Sequence, residues 1–340
     1  MKYYSSKTIF FIALLALVAL FFSACENESS NNDNDEMLVD QENIKVRIPK
    51  FDGNAAKKFV AKQVAFGTRV TGSEGHQKCK DWIVSQFKSF GAEVMEQDFT
   101  ATTFNQVKLN ATNIIARYNP NVKERIILSA HYDTRPFADK DPDLLRQSDP
   151  ILGADDAGSG VGVLLEIAKL LQSNLVPMGV DIVLFDAEDY GDSESNNPNS
   201  WGLGSQYWSK NPHLKRENVK YGILLDMVGA KGAKFYKEGF SMQVAKRLNN
   251  KIWSLAAGMK KDNFFINEPG GSITDDHYFV IKNFRLPMVD IINMPSENFG
   301  FGAHWHTHAD NMEVIDVKTL EAVGQVVTAV IYKESNKEFL

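Results

Sequence analysis

The sequence of 340 residues is poor in cysteine, in excess positive charge and in long apolar segments, and each shortage excludes a class of protein. Only two cysteines occur, Cys25 and Cys79, so the fold does not depend on a framework of disulfides. The 37 basic side chains face 43 acidic ones, which argues against nucleic acid as a partner because its binding rests on cationic contacts to phosphate. Apolar residues make up 44% and charged residues 24% of the chain, the composition of an ordinary globular protein.

The first 25 residues have the pattern of an export signal. Two lysines precede the apolar run Ile9–Phe22, which is too short to cross a bilayer core of roughly 30 Å, and two small residues then precede Cys25. This pattern predicts a cleaved signal over residues 1–24. The segment resembles a bacterial lipoprotein signal, which implies lipidation of Cys25 and an exported protein, periplasmic or at the cell surface, held to the membrane only through its lipid anchor. Plain secretion, with Cys25 incidental, is the alternative.

The remainder divides into a tether and one domain. Residues 25–43 contain seven acidic and no basic side chains, so they are predicted to be a flexible acidic tether. Residues 44–340 form the predicted domain, and from Phe51 onward no long linker, repeat or low-complexity stretch occurs. Predicted strands alternate there with predicted helices, which indicates a single α/β domain with a central mixed, mostly parallel sheet flanked by helices on both faces. The strands are expected at 92–99, 113–117, 125–129, 180–185, 221–225 and 288–292, and the helices at 57–66, 75–90, 160–172, 241–257 and 317–333.

Histidine and carboxylate side chains gather where the predicted strands end, and ligands of parallel sheets bind at that edge. Each motif by itself also has a purely structural interpretation, such as a histidine packed at a strand end or an aspartate capping a helix. Together, however, they lack an obvious serine or cysteine nucleophile and combine imidazole with carboxylate, which suits a catalytic Zn²⁺ site. The motifs are HYDT (131–134), GADDAGSG (153–160), DAED (186–189), Asp226 after its strand and WHTH (305–308).

These motifs carry a family resemblance. In order along the chain, HYDT, GADDAGSG, FDAED, LLDMVGA and WHTHADN resemble the zinc aminopeptidase superfamily, which includes the animal-type glutaminyl-peptide cyclotransferases. The resemblance runs from about Val64 to the C-terminus and implies the zinc aminopeptidase-like fold for the domain over residues 44–340.

The resemblance also implies roles for individual residues. Asp156, Asp189 and His306 correspond to zinc ligands, and Glu188 corresponds to the general base. In the peptidases, the positions of His131 and Asp226 bind a second zinc ion, whereas the cyclases bind one zinc per chain.

Further details resemble the cyclase branch. Trp305 directly precedes the ligand histidine, and Phe301 belongs to a loop similar to the aromatic rim of the cyclase pocket. Asp275 in the segment TDDH corresponds to an aspartate that shares a network of acids with the equivalent of Asp226, so both are expected to act in catalysis. Trp201 is the candidate for a second pocket indole.

The sequence is therefore compatible with three functions. The first is a zinc-dependent glutaminyl cyclase, an acyltransferase that converts the N-terminal glutamine of peptides and proteins to pyroglutamate with release of ammonia. The second is an exo-aminopeptidase with two zinc ions, and the third is a lipoprotein that binds without catalysis. A monomer is expected, and His76 and His213 are predicted to be surface or capping residues because no acidic motif surrounds them.

Overall fold

A twisted sheet of six strands forms the centre of the structure, a computed structural model that describes residues 47–294 and 300–340. The predicted signal, the tether, Cys25 and residues 295–299 lie outside the described residues. In chain order the strands are β1 (Glu93–Thr102), β2 (Lys108–Tyr118), β3 (Arg125–His131), β4 (Gly179–Phe185), β5 (Val219–Asp226), β6 (Phe235–Lys237), β7 (Phe265–Pro269) and β8 (Met288–Ile292), of which β6 and β7 form a separate pair.

The sheet is mixed and mostly parallel. Its order is β1-β2-β4-β3-β5-β8, with antiparallel pairing at β1–β2 and β2–β4 and parallel pairing across the remaining three pairs. Every residue of β3 and β4 is buried, as is usual for parallel strands covered on both faces. The parallel strands β4, β3 and β5 are neighbours, so their carboxyl ends meet at one edge of the sheet.

Helices cover the sheet and supply most of the remaining core. They are α1 (Gly53–Val64), α2 (Glu74–Ser89), α3 (Gly158–Ser173), α4 (Leu203–Lys210), α5 (Gly239–Val244), α6 (Lys246–Gly258), α7 (Asp276–Phe279) and α8 (Val317–Ser335), and a single π-helical turn (Val280–Phe284) follows α7. Side-chain caps start the first two: Asp52 accepts from the backbone N–H of Asn54, and Ser73 accepts from that of His76. None of the helices in the described ranges is long and apolar enough to cross a membrane.

Helix α3 begins directly against the carboxyl edge of the sheet because its first turn carries glycine. A Cβ atom on Gly160 would lie 2.3 Å from the carbonyl oxygen of Leu225 at the end of β5. No side chain fits that gap. The glycines of the GADDAGSG motif therefore allow the loop before α3 to approach the ends of β3 and β5.

The predicted fold class is confirmed, and the strand and helix predictions differ from the structure in detail. The single helix expected over 241–257 is two helices, α5 and α6, which break at Ala245. No bounds were predicted for helix α4, although Trp208 was placed in a helical stretch, and the β6–β7 pair was not predicted, because these elements are short and lack a clear hydrophobic period.

The prediction that His213 is a surface or capping residue is wrong. Its side chain is 1% exposed, and its Nε2 lies 3.2 Å from Oδ2 of Asp181 on β4. The same carboxylate accepts a 2.7 Å hydrogen bond from Nε of Arg125, so the three side chains form a buried charged cluster. The partners are distant in sequence, which is why no local pattern indicated them.

Candidate metal centre

The predicted site residues meet in one cavity at the carboxyl edge of the sheet, with a volume of about 460 Å³. The predicted residues that line it are Asp156, Glu188, Asp189, Trp201, Asp226, Asp275, Phe301, Trp305 and His306. Among the predicted site residues that the structure describes, only His131 does not line the cavity. Its ring is 2% exposed and lies behind Asp156 and Asp226.

Asp156, Asp189 and His306 form one buried group of potential metal ligands. Nε2 of His306 lies 3.2 Å from Oδ1 of Asp189 and 3.9 Å from Oδ2 of Asp156. The ligand atoms of the three residues all lie within 4.8 Å of one another. Two donors that each lie about 2 Å from one ion are at most about 4 Å apart, so these two separations allow His306 to share one divalent ion with either carboxylate.

A second group shares Asp156 with the first. Nε2 of His131 lies 3.0 Å from Oδ1 of Asp156 and 3.3 Å from Oδ1 of Asp226. Asp156 thus presents one carboxylate oxygen to His131 and the other to His306. This arrangement allows Asp156 to bridge two ions, so ligand geometry alone does not distinguish a site with one ion from a site with two.

The position of Asp156 is set by the backbone of its loop. The buried carboxylate of Asp310 accepts hydrogen bonds from the backbone N–H groups of Asp155 (2.7 Å) and Asp156 (3.1 Å). The neighbouring carboxylate of Asp155 accepts from the backbone N–H of Gly229 and lies 2.8 Å from Nε2 of His304. Asp155 therefore holds the loop together, whereas Asp156 points into the site.

Glu188 and Asp189 are presented by a turn that another carboxylate holds. The two oxygens of Asp133 each accept a 3.1 Å hydrogen bond, one from the backbone N–H of Glu188 and one from that of Asp189. Ala187 just before them has a positive φ of 54°, which bends the chain sharply at the end of β4. In the HxD motif, His131 therefore lies beside the potential ligand Asp156, whereas Asp133 holds the neighbouring turn after β4.

Glu188 is a buried carboxyl among other carboxyls. Burial raises its pKa well above the ordinary value, and although the charge of His131 opposes this shift, the charges of Asp276 and Asp189 add to it. Burial likewise raises the pKa of Asp226 and of Asp275. Protons or a cation must therefore accompany this group in the folded protein.

Two residues that sequence reasoning missed contact the potential ligands. Oδ1 of Asp139 lies 3.2 Å from Nδ1 of His306, and Nη1 of Arg135 lies 3.4 Å from Oδ1 of Asp189. Arg135 also donates a 2.5 Å hydrogen bond to Asp139. A carboxylate on the far nitrogen of a ligand histidine fixes the orientation of its ring. The only signal in the sequence was their closeness to the HYDT motif.

Below the site, Asp186 directly follows β4 and lies in a dense hydrogen-bond network. Its carboxylate accepts from the hydroxyls of Thr71 and Tyr132 and from the backbone N–H of Thr112, at 2.7 to 3.0 Å. Nε2 of His76 lies 2.9 Å from the same carboxylate, and His76 is 4% exposed. The prediction that His76 is a surface or capping residue is therefore wrong, because its carboxylate partner follows the end of β4, 110 positions away.

Aromatic rings close the cavity around His306. The ring of Trp305 stacks on that of His306 with centroids 3.7 Å apart, and Phe301 lies 4.6 Å from Trp305. Trp201 stacks on His306 from a different loop at 6.0 Å. All three predicted pocket residues thus line the same cavity, next to the potential ligands.

The donor set suits a divalent zinc ion. Oδ2 of Asp189 is buried without a hydrogen-bond partner in the described residues, although a buried carboxylate oxygen is costly to leave unpaired. Imidazole and carboxylate ligands without thiolate, next to an open cavity, are typical of catalytic zinc. The residues therefore fit the ion that the resemblance implies.

Comparison with known proteins supports the interpretation of this cavity as the site of a zinc enzyme. Residues 113–331 match Peptidase family M28. The glutaminyl cyclase of Porphyromonas gingivalis is 48% identical with a TM-score of 0.80, over 84% of this chain and 98% of that one. A Zn-dependent exopeptidase of Parabacteroides distasonis is 46% identical with a TM-score of 0.82, over 84% of this chain and 99% of that one. The glutaminyl-peptide cyclotransferase of Drosophila melanogaster is 26% identical over 282 residues, which are 76% of this chain and 75% of that protein.

These relatives are enzymes, which supports an enzymatic role for this protein. They confirm the resemblance and the fold that the motifs predicted. Since the family match extends from β2 into α8 and contains the strand ends that build the site, the chain belongs to peptidase family M28.

Proposed function

We propose that the protein is a glutaminyl-peptide cyclotransferase, which converts the N-terminal glutamine of peptides and proteins to pyroglutamate and releases ammonia. The observation that carries the proposal is the aromatic enclosure of His306: Trp305, Phe301 and Trp201 surround a small cavity into which Glu188 also opens. Such a pocket accommodates one side chain and its α-amine. The similarity to glutaminyl cyclases supports the same conclusion.

Asp156, Asp189 and His306 are proposed to hold one Zn²⁺ per chain. When bound there, zinc acts as a Lewis acid that polarises a carbonyl oxygen. Asp139 orients the ring of His306, and Arg135 compensates part of the negative charge of Asp189.

Glu188 is the proposed general base. The substrate's α-amine forms a bond to the carbonyl carbon of its own γ-carboxamide, and the bond from that carbon to the amide nitrogen breaks. Glu188 accepts a proton from the α-amine and gives it to the departing ammonia. Because amine and amide belong to one molecule, the enzyme needs no nucleophile of its own, and orientation in the pocket contributes much of the rate.

Asp226 and Asp275 are proposed to hold a shared proton beside the reacting nitrogen atoms. Both carboxyls line the cavity and both have a raised pKa, first because of burial. Two neighbouring buried carboxyls do not both ionise freely, and the protonated one donates a hydrogen bond.

An aminopeptidase with two zinc ions is the second candidate. The observation that favours it is the second ligand group, in which His131, Asp156 and Asp226 remain close together. The similarity to a Zn-dependent exopeptidase supports it as well. In this function Glu188 would deprotonate a water for attack on the first peptide bond. A binding protein without catalysis is disfavoured, because both ligand groups and Glu188 are present.

The two enzymatic functions are separated by their products. The purified protein is offered a peptide that begins with glutamine and one that begins with leucine. Ammonia and a blocked N-terminus from the first peptide support the cyclase, whereas a free amino acid from either peptide supports the peptidase. Zinc content measured by inductively coupled plasma mass spectrometry adds a second criterion, with one ion per chain expected for the cyclase and two for the peptidase.

From the sequence alone we further propose an exported, monomeric lipoprotein anchored through Cys25. Metabolic labelling with a radioactive fatty acid should mark the wild-type chain and not Cys25→Ser. Light scattering of the protein in detergent should give the mass of one chain.

A further inference from the structure

A second depression continues from the site cavity along the loop that follows Asp189. It has a volume of about 320 Å³. We name it the asparagine groove, and its lining residues are Ser195, Asn196, Asn197, Pro198, Trp201 and Thr274. Ser195, Trp201 and Thr274 also line the site cavity, so the two spaces meet along these residues. A ligand too long for the cavity can therefore extend into the groove.

The wall between cavity and groove is the indole of Trp201, which is held on several sides. Its ring stacks on His306 at an interplanar angle of 18°, and the guanidinium of Arg135 lies 4.9 Å from its centre. Gly191 packs so closely against it that a Cβ atom there would lie 1.9 Å from the indole. The boundary of the groove is thus built into the packing of the site.

The loop that forms the floor of the groove is held by its own hydrogen bonds. Oδ1 of Asn197 accepts from the backbone N–H of Asn199, and the hydroxyl of Ser200 donates to the carbonyl of Asn197 at 2.9 Å. Nε2 of Gln206 donates to the carbonyl oxygens of Asn199 and Trp201 at 2.9 and 2.8 Å. These bonds fix the backbone of residues 197–201 against α4.

The groove is polar but contains no charged side chain. Asn196 is exposed, and within residues 47–294 and 300–340 its side-chain amide has no hydrogen-bond partner. An amide offers both donors and an acceptor, which match the carbonyl and N–H groups of a peptide backbone. Neutral amide and hydroxyl groups bind the backbone without selecting the charge of the side chains.

We propose that the asparagine groove binds the peptide backbone of the residues that follow the N-terminal glutamine of the substrate. This inference rests on the proposed cyclase function and adds a subsite to it. Asn196 is the residue that contributes a hydrogen bond to the substrate backbone. The groove therefore makes longer peptides better substrates than glutamine amide.

The test compares two substrates on the complete, zinc-containing protein: glutamine amide and the amide of the tetrapeptide Gln-Gly-Ala-Ala. The kcat/KM for each is measured by ammonia release. The wild-type ratio of tetrapeptide to glutamine amide is expected to be about 10, and Asn196→Ala should lower this ratio about fivefold, the effect of one net hydrogen bond. Activity on glutamine amide should stay within about twofold, because Asn196 lies outside the site cavity.

Asn199→Ala is the matched control, since Asn199 is an exposed asparagine of the same loop that does not line the groove. Its ratio should equal that of the wild type. A wild-type ratio near one, or equal ratios in the two variants, overturns the groove while leaving cyclase activity in place. Absence of ammonia from both substrates overturns the proposed function instead, and the groove falls with it as a subsite for glutamine peptides.

Discussion

Replacing Glu188 with glutamine separates catalysis from folding and from metal binding. The change keeps the shape of the side chain and removes one negative charge from a buried group that includes Asp189, Asp275 and Asp276. Burial and these neighbouring charges disfavour the ionised form of Glu188, as its raised pKa indicates. In the protein stripped of zinc, the neutral variant therefore gives up no stabilising charge, and its free energy of unfolding should equal or exceed that of the wild type.

Turnover should fall steeply. A positioned general base contributes a factor of about 10² to 10⁴, which corresponds to roughly 3 to 5 kcal/mol of the barrier. The loss is expected in kcat with little change in KM, since Glu188 handles the moving proton rather than the binding of the side chain. Ammonia release in a coupled assay measures kcat, thermal unfolding measures stability, and mass spectrometry counts the zinc.

Glu166→Gln is the matched control. Glu166 is another buried glutamate, 2% exposed, whose pKa burial also raises, and it lies on α3 away from the cavity. This variant should keep full turnover. If Glu188→Gln with its zinc in place retains turnover within about tenfold of the wild type, the general-base assignment is wrong. If it loses its zinc, Glu188 is a ligand instead.

Four other predictions test the site and the core. His306→Ala should lose zinc on dialysis, and Asp139→Asn should weaken zinc binding about 10- to 100-fold because the ligand ring loses its partner. Cys79 is 0% exposed and burial raises its pKa to about 11, so iodoacetamide at pH 8 should label it only after unfolding. Burial alone would raise the pKa of Glu238, but the hydrogen bond and charge of His277 lower it to about 2. Glu238 should therefore stabilise the fold above about pH 4.5 and lose that effect as pH falls toward 2, so the free energy of unfolding of Glu238→Gln should depend less on pH between 5 and 3.

Each of these predictions has an opposing result. Zinc retained by His306→Ala would place the ion elsewhere, and an unchanged zinc affinity in Asp139→Asn would make that contact incidental. Labelling of Cys79 in the native protein would show that its helix opens. If the free energy of unfolding of Glu238→Gln falls between pH 5 and 3 as steeply as that of the wild type, other carboxyls dominate the loss of stability in acid.

Most of the fold followed from local patterns. Strands β3 and β4 contain the apolar runs 126–128 and 182–185, and α8 is rich in apolar residues, so these elements could be predicted as buried. The break at Ala245 was not predictable, because the apolar spacing continues through it. The short helix α4 and the β6–β7 pair are stabilised by tertiary contacts rather than by their own period.

Site residues could be predicted where side chains that suit metal binding stand in recognisable motifs of the sequence. Asp156 precedes a helix start and Asp189 follows a strand end, and the parallel sheet brings such ends together, whereas His306 stands in the irregular segment between β8 and α8. Asp139 and Arg135 were missed because their roles depend on where an irregular loop folds back.

The sequence by itself determined the types of side chain at the sheet edge and the α/β order that gathers them there, because periodicity and residue chemistry are local properties. Tertiary structure alone decided that Asp156 turns one oxygen to His131 and the other to His306, and that His76 contacts Asp186 across 110 positions. It also decided that Trp201 separates the cavity from a second groove. Those relations depend on distances between segments remote in the chain, which only the packed backbone sets.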